Sequence, residues 1–213
     1  MPAGIQGGFN LKYIIASTPR SSTGYLSQLF TSAGVPIGHE MFYGMPGNGF
    51  YPKNAVGDSS WLAVPHLRSE QLKDATVIHL VRNPLKTVSS MFHAQNLEDR
   101  NLGTNIYCMY KLKCLPDILK YKGLDRYLFF WTVWHKEIDL RTDKLYRIES
   151  INKNPKKIFA DLGIDISKKK LYTKKYNAYK DVSYLKLKDL KGCNPILVKE
   201  FKELTKKYGY KLT

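Results

Sequence analysis

Two short apolar segments, each followed by an arginine and a helix start, limit what this chain can fold into. The first is YIIA at 13–16, with Arg20 shortly after it, and the second is TVIHLV at 76–81, with Arg82 directly after it. Near-continuous apolar runs of this length are typical of strands buried on both faces of a parallel sheet. Because strand-like and helix-like segments alternate along the chain, we predict an α/β fold with a central, largely parallel sheet flanked by helices.

The length and composition suit one domain. The chain has 213 residues, of which 43% are hydrophobic, and this is enough for a core. We predict a single domain over 1–213, in which residues 1–10 are flexible and the basic stretch 165–192 forms a lid. Residues 97–122 show neither the helical nor the strand spacing of apolar residues, and we expect them to form an irregular insertion. No apolar run approaches membrane-spanning length and no signal-peptide pattern is visible, so we expect a cytoplasmic protein.

Local signals place several further elements. Asn83 before Pro84 predicts a helix that starts at the proline, with the asparagine as its cap. Residues 35–38 are predicted to form a short second strand. The segment SSWLAVPHL, residues 59–67, is predicted to contain another strand that ends at Pro65.

The charge balance points to an anionic partner. The net charge is +16, from 34 Lys and Arg against 18 Asp and Glu, which favours nucleic acid, an acidic polymer or a polyphosphorylated cofactor. A solvated lysine-rich surface is the alternative interpretation. The three cysteines, Cys108, Cys114 and Cys193, lack CxxC spacing and an even number, so we expect reduced thiols and no metal site.

The turn after the first strand has the chemistry of an anion-binding loop. Ser17-Thr18-Pro19-Arg20-Ser21-Ser22 holds one arginine, four hydroxyls and no carboxylate. The first turn of the following helix offers free backbone N–H groups and the positive end of the helix dipole, and a phosphate or sulfate fits there. An ordinary strand–turn–helix with a capping hydroxyl is the alternative.

The second apolar segment repeats this logic. Arg82 follows the strand at once, and Ser90 lies eight residues later, about two turns into the predicted helix. An arginine at a strand end and a serine on the adjoining helix can contact one phosphate from two sides.

Together, the two segments resemble motifs of the sulfotransferases that use 3′-phosphoadenosine 5′-phosphosulfate (PAPS). TPRSSTGYL, residues 18–26, is similar to the family's 5′-phosphosulfate loop, and VIHLVRNPLKTVSSMF, residues 77–92, to its 3′-phosphate motif. The segment PHLRSEQL resembles the one that carries the catalytic histidine of cytosolic members, and GHEMF lies where carbohydrate-acting members place a catalytic glutamate. The resemblance implies a P-loop-like sulfotransferase fold, PAPS as the sulfuryl donor, and adenosine 3′,5′-bisphosphate (PAP) as a product.

The resemblance also implies which residues bind the donor. Arg20 would stabilise the leaving phosphate, and Arg82 with Ser90 would bind the 3′-phosphate. The residues implied at the 5′-phosphate are Ser21, Ser22, Thr23 and Gly24. Tyr25 either faces the adenine or packs in the core. The loop departs from the family pattern, because Ser22 stands where the family often has glycine.

Two residues are candidates for the general base. Glu40 follows the predicted second strand and opens a glycine-rich loop, and His66 follows the predicted third strand. Val64 stands where many cytosolic members have a lysine, which favours Glu40 as the base and leaves His66 as a second polar group near the acceptor. The acceptor is expected to be a small-molecule or glycan hydroxyl. Glu149, at the predicted end of a later strand, is expected to be an interior hydrogen-bond acceptor rather than a catalyst.

Two other functions are compatible with the residues. A P-loop kinase or NTPase also binds phosphate between a strand and a helix, but STPRSSTG lacks the GxxxxGK[ST] pattern and its lysine. A basic protein could instead bind nucleic acid or an acidic glycan without chemistry. The sequence shows no RNP or zinc-finger motif, which makes nucleic acid the less favoured partner.

Overall fold

The structure is a computed structural model that describes residues 11–43, 50–94, 115–174 and 184–212. The predicted flexible N-terminus, most of the predicted insertion and the centre of the predicted lid lie outside the described residues. The described end of the insertion is helical over Leu115–Lys120, so the prediction of irregular structure is wrong there. Of the cysteines, Cys193 is described and is a half-buried free thiol. No helix in the described ranges is both long enough and apolar enough to cross a membrane.

Five parallel strands form the sheet of the described chain, in the order β2-β3-β1-β4-β5. They are β1 Tyr13–Ala16, β2 Ile37–His39, β3 Gly57–Ser59, β4 Thr76–Val81 and β5 Leu145–Arg147. This confirms the predicted α/β class. Because all strands run in the same direction, their carboxyl ends meet at one edge of the sheet. The chain passes from β3 across β1 to β4, and ligands of open α/β sheets bind outside the strand ends at such a switch in strand order.

Helices cover both faces of the sheet. They are α1 Thr23–Ser32, α2 Pro84–His93, α3 Leu115–Lys120, α4 Gly123–Asp139, α5 Ile148–Lys153, α6 Pro155–Asp161 and α7 Pro195–Lys207, with 3-10 helices at Trp61–His66, Glu70–Leu72 and Leu187–Leu190. The predicted cap of α2 is confirmed, since the Asn83 side chain accepts a hydrogen bond from the Lys86 N–H at 3.1 Å. The order of elements therefore follows the alternation seen in the sequence.

The core lies in two clusters, one on each face of the sheet. Successive side chains of a strand point to opposite faces, so Ile14 joins the cluster that contains Trp131, and Ile15 joins the one that contains Phe30. All four side chains are fully buried. Burial of one such apolar side chain typically contributes about 1.5–3 kcal/mol, so these two layers stabilise the sheet from both faces.

Two strand predictions need correction. The second strand begins at Ile37 rather than at residue 35. The strand predicted to end at Pro65 is wrong, because β3 ends at Ser59. The Ser60 hydroxyl accepts a hydrogen bond from the Leu62 N–H at 3.0 Å and caps a 3-10 helix over the following residues. His66 therefore lies at the end of a 3-10 helix, and not at the end of a strand.

Candidate active site

The loop between β1 and α1 is a tight turn in which two residues adopt left-handed backbone conformations. Arg20 has φ 66° and Ser22 has φ 74°. The hydroxyls of Thr18 and Ser21 lie 2.9 Å apart and join the two halves of the turn. Left-handed geometry favours glycine, so Arg20 and Ser22 hold a backbone conformation that residues with a side chain rarely adopt.

The start of α1 faces the same loop. Ser22 is the N-cap of α1, and its side chain makes no capping hydrogen bond. The first N–H groups of a helix have no partner within the helix, so this helix start suits an anion. Thr23 and Gly24 belong to the buried first turn of the helix.

The two predicted anion segments meet at the carboxyl ends of β1 and β4. The Nε of Arg20 donates a hydrogen bond to the Oγ of Ser90 at 3.1 Å. The Nη1 of Arg82 donates to the backbone carbonyl of Arg20 at 2.8 Å. Arg20, Arg82 and Ser90, three of the predicted donor-binding residues, are thus brought together. Arg20 and Ser90 lie 70 positions apart in the sequence.

The backbone behind Arg82 is fixed by Glu149, at the start of α5. Its Oε1 accepts a hydrogen bond from the Asn83 N–H at 2.8 Å, and its Oε2 accepts one from the Tyr210 hydroxyl at 2.6 Å. Glu149 is thus a hydrogen-bond acceptor, as predicted, but it is half-buried and lies in α5, beyond the end of β5 at Arg147, rather than at a strand end. Its two bonds tie the strand-to-helix turn after β4 to the segment that follows α7.

A chain of polar contacts connects the start of α1 with Glu40. The Thr23 hydroxyl lies 3.1 Å from the Nε2 of His39, and the same nitrogen lies 3.8 Å from the Oε1 of Glu40. Glu40 directly follows β2 and has φ 53°. The carboxylate predicted as the base therefore lies at the same edge of the sheet as the anion loop.

The protonation of these groups is set by burial. Burial and the negative charge of Asp58 raise the pKa of Glu40 to about 7, although a hydrogen bond from the Trp61 side chain lowers it. Burial lowers the pKa of His39, so this histidine is neutral at physiological pH. A carboxyl that titrates near neutral pH is suited to general base catalysis, because it is both available and basic enough there.

The two remaining candidate residues are His66 and Tyr25. The ring of His66 lies 5.1 Å from that of Tyr43, three residues after Glu40, and so close to the same loop. Tyr25 is 7% exposed and belongs to the core cluster of Ile15, with its ring 6.2 Å from that of Tyr172. This environment favours the core interpretation of Tyr25, and a contact with adenine stays a prediction.

Comparison with known proteins finds a structural likeness. No family model and no curated protein matches the chain. Among solved structures, the chain is similar to a sulfotransferase from Alicyclobacillus acidocaldarius. The two are 14% identical, the match covers 93% of this chain and 92% of that one, and the TM-score is 0.46.

Two residues of the site were missed in the sequence. Trp61 forms the hydrogen bond to Glu40, and Asp58 is a fully buried carboxylate on β3. Asp58 stands between glycine and serine in a segment with no apolar alternation, so no pattern marked it as buried. The sequence carries no signal that separates this aspartate from one in an exposed turn.

The raised pKa of Glu40 predicts a pH-dependent stability difference for the Glu40→Gln variant. The folded state holds the Glu40 proton more tightly than the unfolded state does, so the contribution of Glu40 to the free energy of unfolding falls as pH rises from about 4.5 to about 7. At pH 8 we expect Glu40→Gln to be more stable than the wild type, by up to about 3 kcal/mol. The gain should vanish below pH 4.5.

Denaturant unfolding at both pH values measures this difference. The matched control is Glu203→Gln, which makes the same charge change on the exposed face of α7. An equal effect of the two substitutions at pH 8 would contradict the prediction.

Proposed function

We propose that this protein is a sulfotransferase that moves a sulfuryl group from PAPS to a hydroxyl acceptor, with a carbohydrate as the favoured acceptor class. The observation that carries the proposal is the meeting of Arg20, Arg82 and Ser90 at neighbouring strand ends. Glu40 lies at the same edge and titrates near neutral pH. Two cations with an uncapped helix start suit a donor that has two separate anionic groups.

The residues of the chain divide the work of the transfer. Arg82 and Ser90 would bind the 3′-phosphate, and the loop with the first turn of α1 would bind the 5′-phosphate. Glu40 would accept the hydroxyl proton of the acceptor as the new O–S bond forms. Arg20 would stabilise the negative charge on the phosphate oxygen as its bond to sulfur breaks. The products are a sulfate ester and PAP.

Positioning and charge stabilisation would supply most of the rate. A sulfuryl group carries less charge than a phosphoryl group, so its transfer has less need of a metal. Within the described residues, no group of three or more His, Cys, Asp or Glu side chains could hold a metal ion. The side chains of the sheet edge that we assign to the reaction are cations, hydroxyls and one carboxylate.

An acceptor screen tests the proposal directly. The purified protein is incubated with PAPS and a panel of glycans and small hydroxyl compounds, and mass spectrometry detects products that have gained one SO3 group. We expect transfer to at least one carbohydrate, without a need for added magnesium. Activity that stops with EDTA, returns with magnesium and uses ATP would replace this proposal with the kinase alternative.

The 3′-phosphate site makes a separate prediction. Arg82→Ala should weaken PAP binding at least about tenfold, because a hydrogen bond to a charged group typically contributes about 1.5–3 kcal/mol. Isothermal titration calorimetry measures the affinity, and circular dichroism checks that the variant is folded.

Arg147→Ala is the matched control for this substitution. Arg147 lies at the end of the neighbouring strand β5 and, like Arg82, donates to a backbone carbonyl, here that of Gly209 at 2.7 Å. PAP affinity that is unchanged in a folded Arg82→Ala protein, or equally reduced in Arg147→Ala, would remove Arg82 from the donor site.

A further inference from the structure

A buried carboxylate on β3 organises the turn that follows Glu40. Asp58 has no exposed surface. Its Oδ1 accepts a hydrogen bond from the Met41 N–H, and its Oδ2 accepts two, from the N–H groups of Phe42 and Tyr43, all at 3.1 Å. Three consecutive backbone N–H groups directly after Glu40 therefore converge on one side chain.

The neighbouring strand is shaped to admit this contact. Gly38 pairs with Asp58 in the register of β2 and β3. A Cβ at Gly38 would lie 2.5 Å from the Cβ of Met41 and 3.2 Å from the Oδ1 of Asp58. Only a residue without a side chain lets the turn pack this closely on the carboxylate.

The turn is held at both ends as well. The Glu40 N–H donates to the Ser59 carbonyl at 3.3 Å, and the Ser60 hydroxyl donates to the Tyr43 carbonyl at 2.7 Å. Glu40 itself has the left-handed φ of 53°, a conformation that is unfavourable for a residue with a side chain. The bonds to Asp58 offset this cost and hold the residue in that conformation.

We propose that Asp58 is a positioning residue, which fixes the backbone turn and so places the carboxylate of Glu40 for its work as the base. The inference rests on the proposed function, since it assigns Asp58 a part in the same reaction. A carboxylate suits the task better than an amide does. Its two oxygens accept from three N–H groups, whereas asparagine has one accepting oxygen and would turn an NH2 group toward backbone donors.

Asp58 also acts on Glu40 through its charge. The titratable groups around Glu40 are His39 on β2, Asp58 on β3, Tyr43 in the turn, and His66, whose ring lies against that of Tyr43. Burial lowers the pKa of His39, and burial with Asp58 raises that of Tyr43 to about 12, so neither of these two groups is charged near neutral pH. Burial raises the pKa of Glu40 most, and the negative charge of Asp58 raises it further.

The test combines a titration that needs no substrate with a rate. Carboxyl-selective carbon-13 NMR follows the pKa of Glu40 in the wild type, in Asp58→Asn and in Asp125→Asn. Asp125 is the matched control because it loses the same charge and accepts a backbone bond at 2.8 Å, from the Asn194 N–H at the start of α7. In Asp58→Asn we expect the pKa of Glu40 to fall below about 7 and kcat at saturating PAPS to drop about ten- to a hundredfold.

Support requires both changes in Asp58→Asn and neither in Asp125→Asn; any other pattern overturns the proposal. If Asp58→Asn does not fold, Gly38→Ala takes its place, because the added Cβ would lie 2.5 Å from the Cβ of Met41 and displace the turn from Asp58. The kcat should then fall by about ten- to a hundredfold, and an unchanged kcat in the folded variant overturns the proposal. If the wild type transfers no sulfuryl group, the proposed function fails, and the titrations alone decide whether Asp58 controls Glu40.

Discussion

Glu40→Gln is expected to lower kcat by about 10²–10⁴-fold, the usual cost of removing a positioned general base. The substitution keeps the shape of the side chain, so the turn that Asp58 holds should persist. In the wild type, kcat/KM should fall below about pH 7 as Glu40 becomes protonated. The measurement is kcat with one acceptor at saturating PAPS, together with the pH profile.

His66→Gln is the comparison that makes this result specific. His66 ends a 3-10 helix and contacts Tyr43, so we expect its loss to reduce kcat less than the loss of Glu40 does. The reverse ranking would assign the base to His66. We also expect Glu40→Gln to be more stable than the wild type at pH 8. A variant that is inactive but more stable would show that the fold tolerates a destabilising, half-buried carboxyl because the reaction needs it.

Arg20→Ala is expected to reduce kcat and kcat/KM together, by about 10²–10³-fold. The proposed role of Arg20 is to stabilise charge that grows only as the S–O bond breaks, and such an interaction acts on the transition state. The bond from Arg82 to residue 20 uses the backbone carbonyl, so it survives the substitution. We therefore expect the variant to retain most of its affinity for PAP.

Arg20→Lys is the control that separates the effect of the positive charge at residue 20 from the effect of the guanidinium geometry. It keeps the positive charge but loses the planar fork whose Nε contacts Ser90. We expect its activity to lie between those of the wild type and Arg20→Ala, as judged by steady-state kinetics and calorimetry with PAP. A near-normal kcat with a raised KM for PAPS in Arg20→Ala would mean that Arg20 binds the ground state only.

The parts of the fold that could be predicted are those with strong local signals. β1 and β4 are apolar runs buried in the middle of the sheet, and Asn83 with Pro84 marks the start of α2. β3 could not be predicted, because its Gly-Asp-Ser sequence has no apolar residue. Its place in the sheet depends on partners distant in sequence, namely on pairing with β1 and β2 and on the bonds that Asp58 receives.

The same contrast holds for the site. Arg20, Arg82 and Glu40 follow predicted strands, so the edge of the sheet on which they lie could be anticipated. Their contacts could not be anticipated, because these depend on rotamers and on left-handed residues such as Arg20 and Ser22. The position of His66 was misjudged for a local reason, since the capping bond made by Ser60 converts the expected strand into a 3-10 helix.

The central position of β1 has a consequence for how the protein folds. Ile14 lies in register with Asp58 on one side and with Val77 on the other. Both strands that pair with β1, namely β3 and β4, are therefore synthesised long after it. Pairing between such distant segments requires the closure of long loops. The chain loses conformational entropy in that closure before the pairing adds any stability, and this slows folding. The contact between Arg20 and Ser90 forms only after that closure. During synthesis, the loop between β1 and α1 therefore cannot reach its final conformation until the chain through α2 has been made.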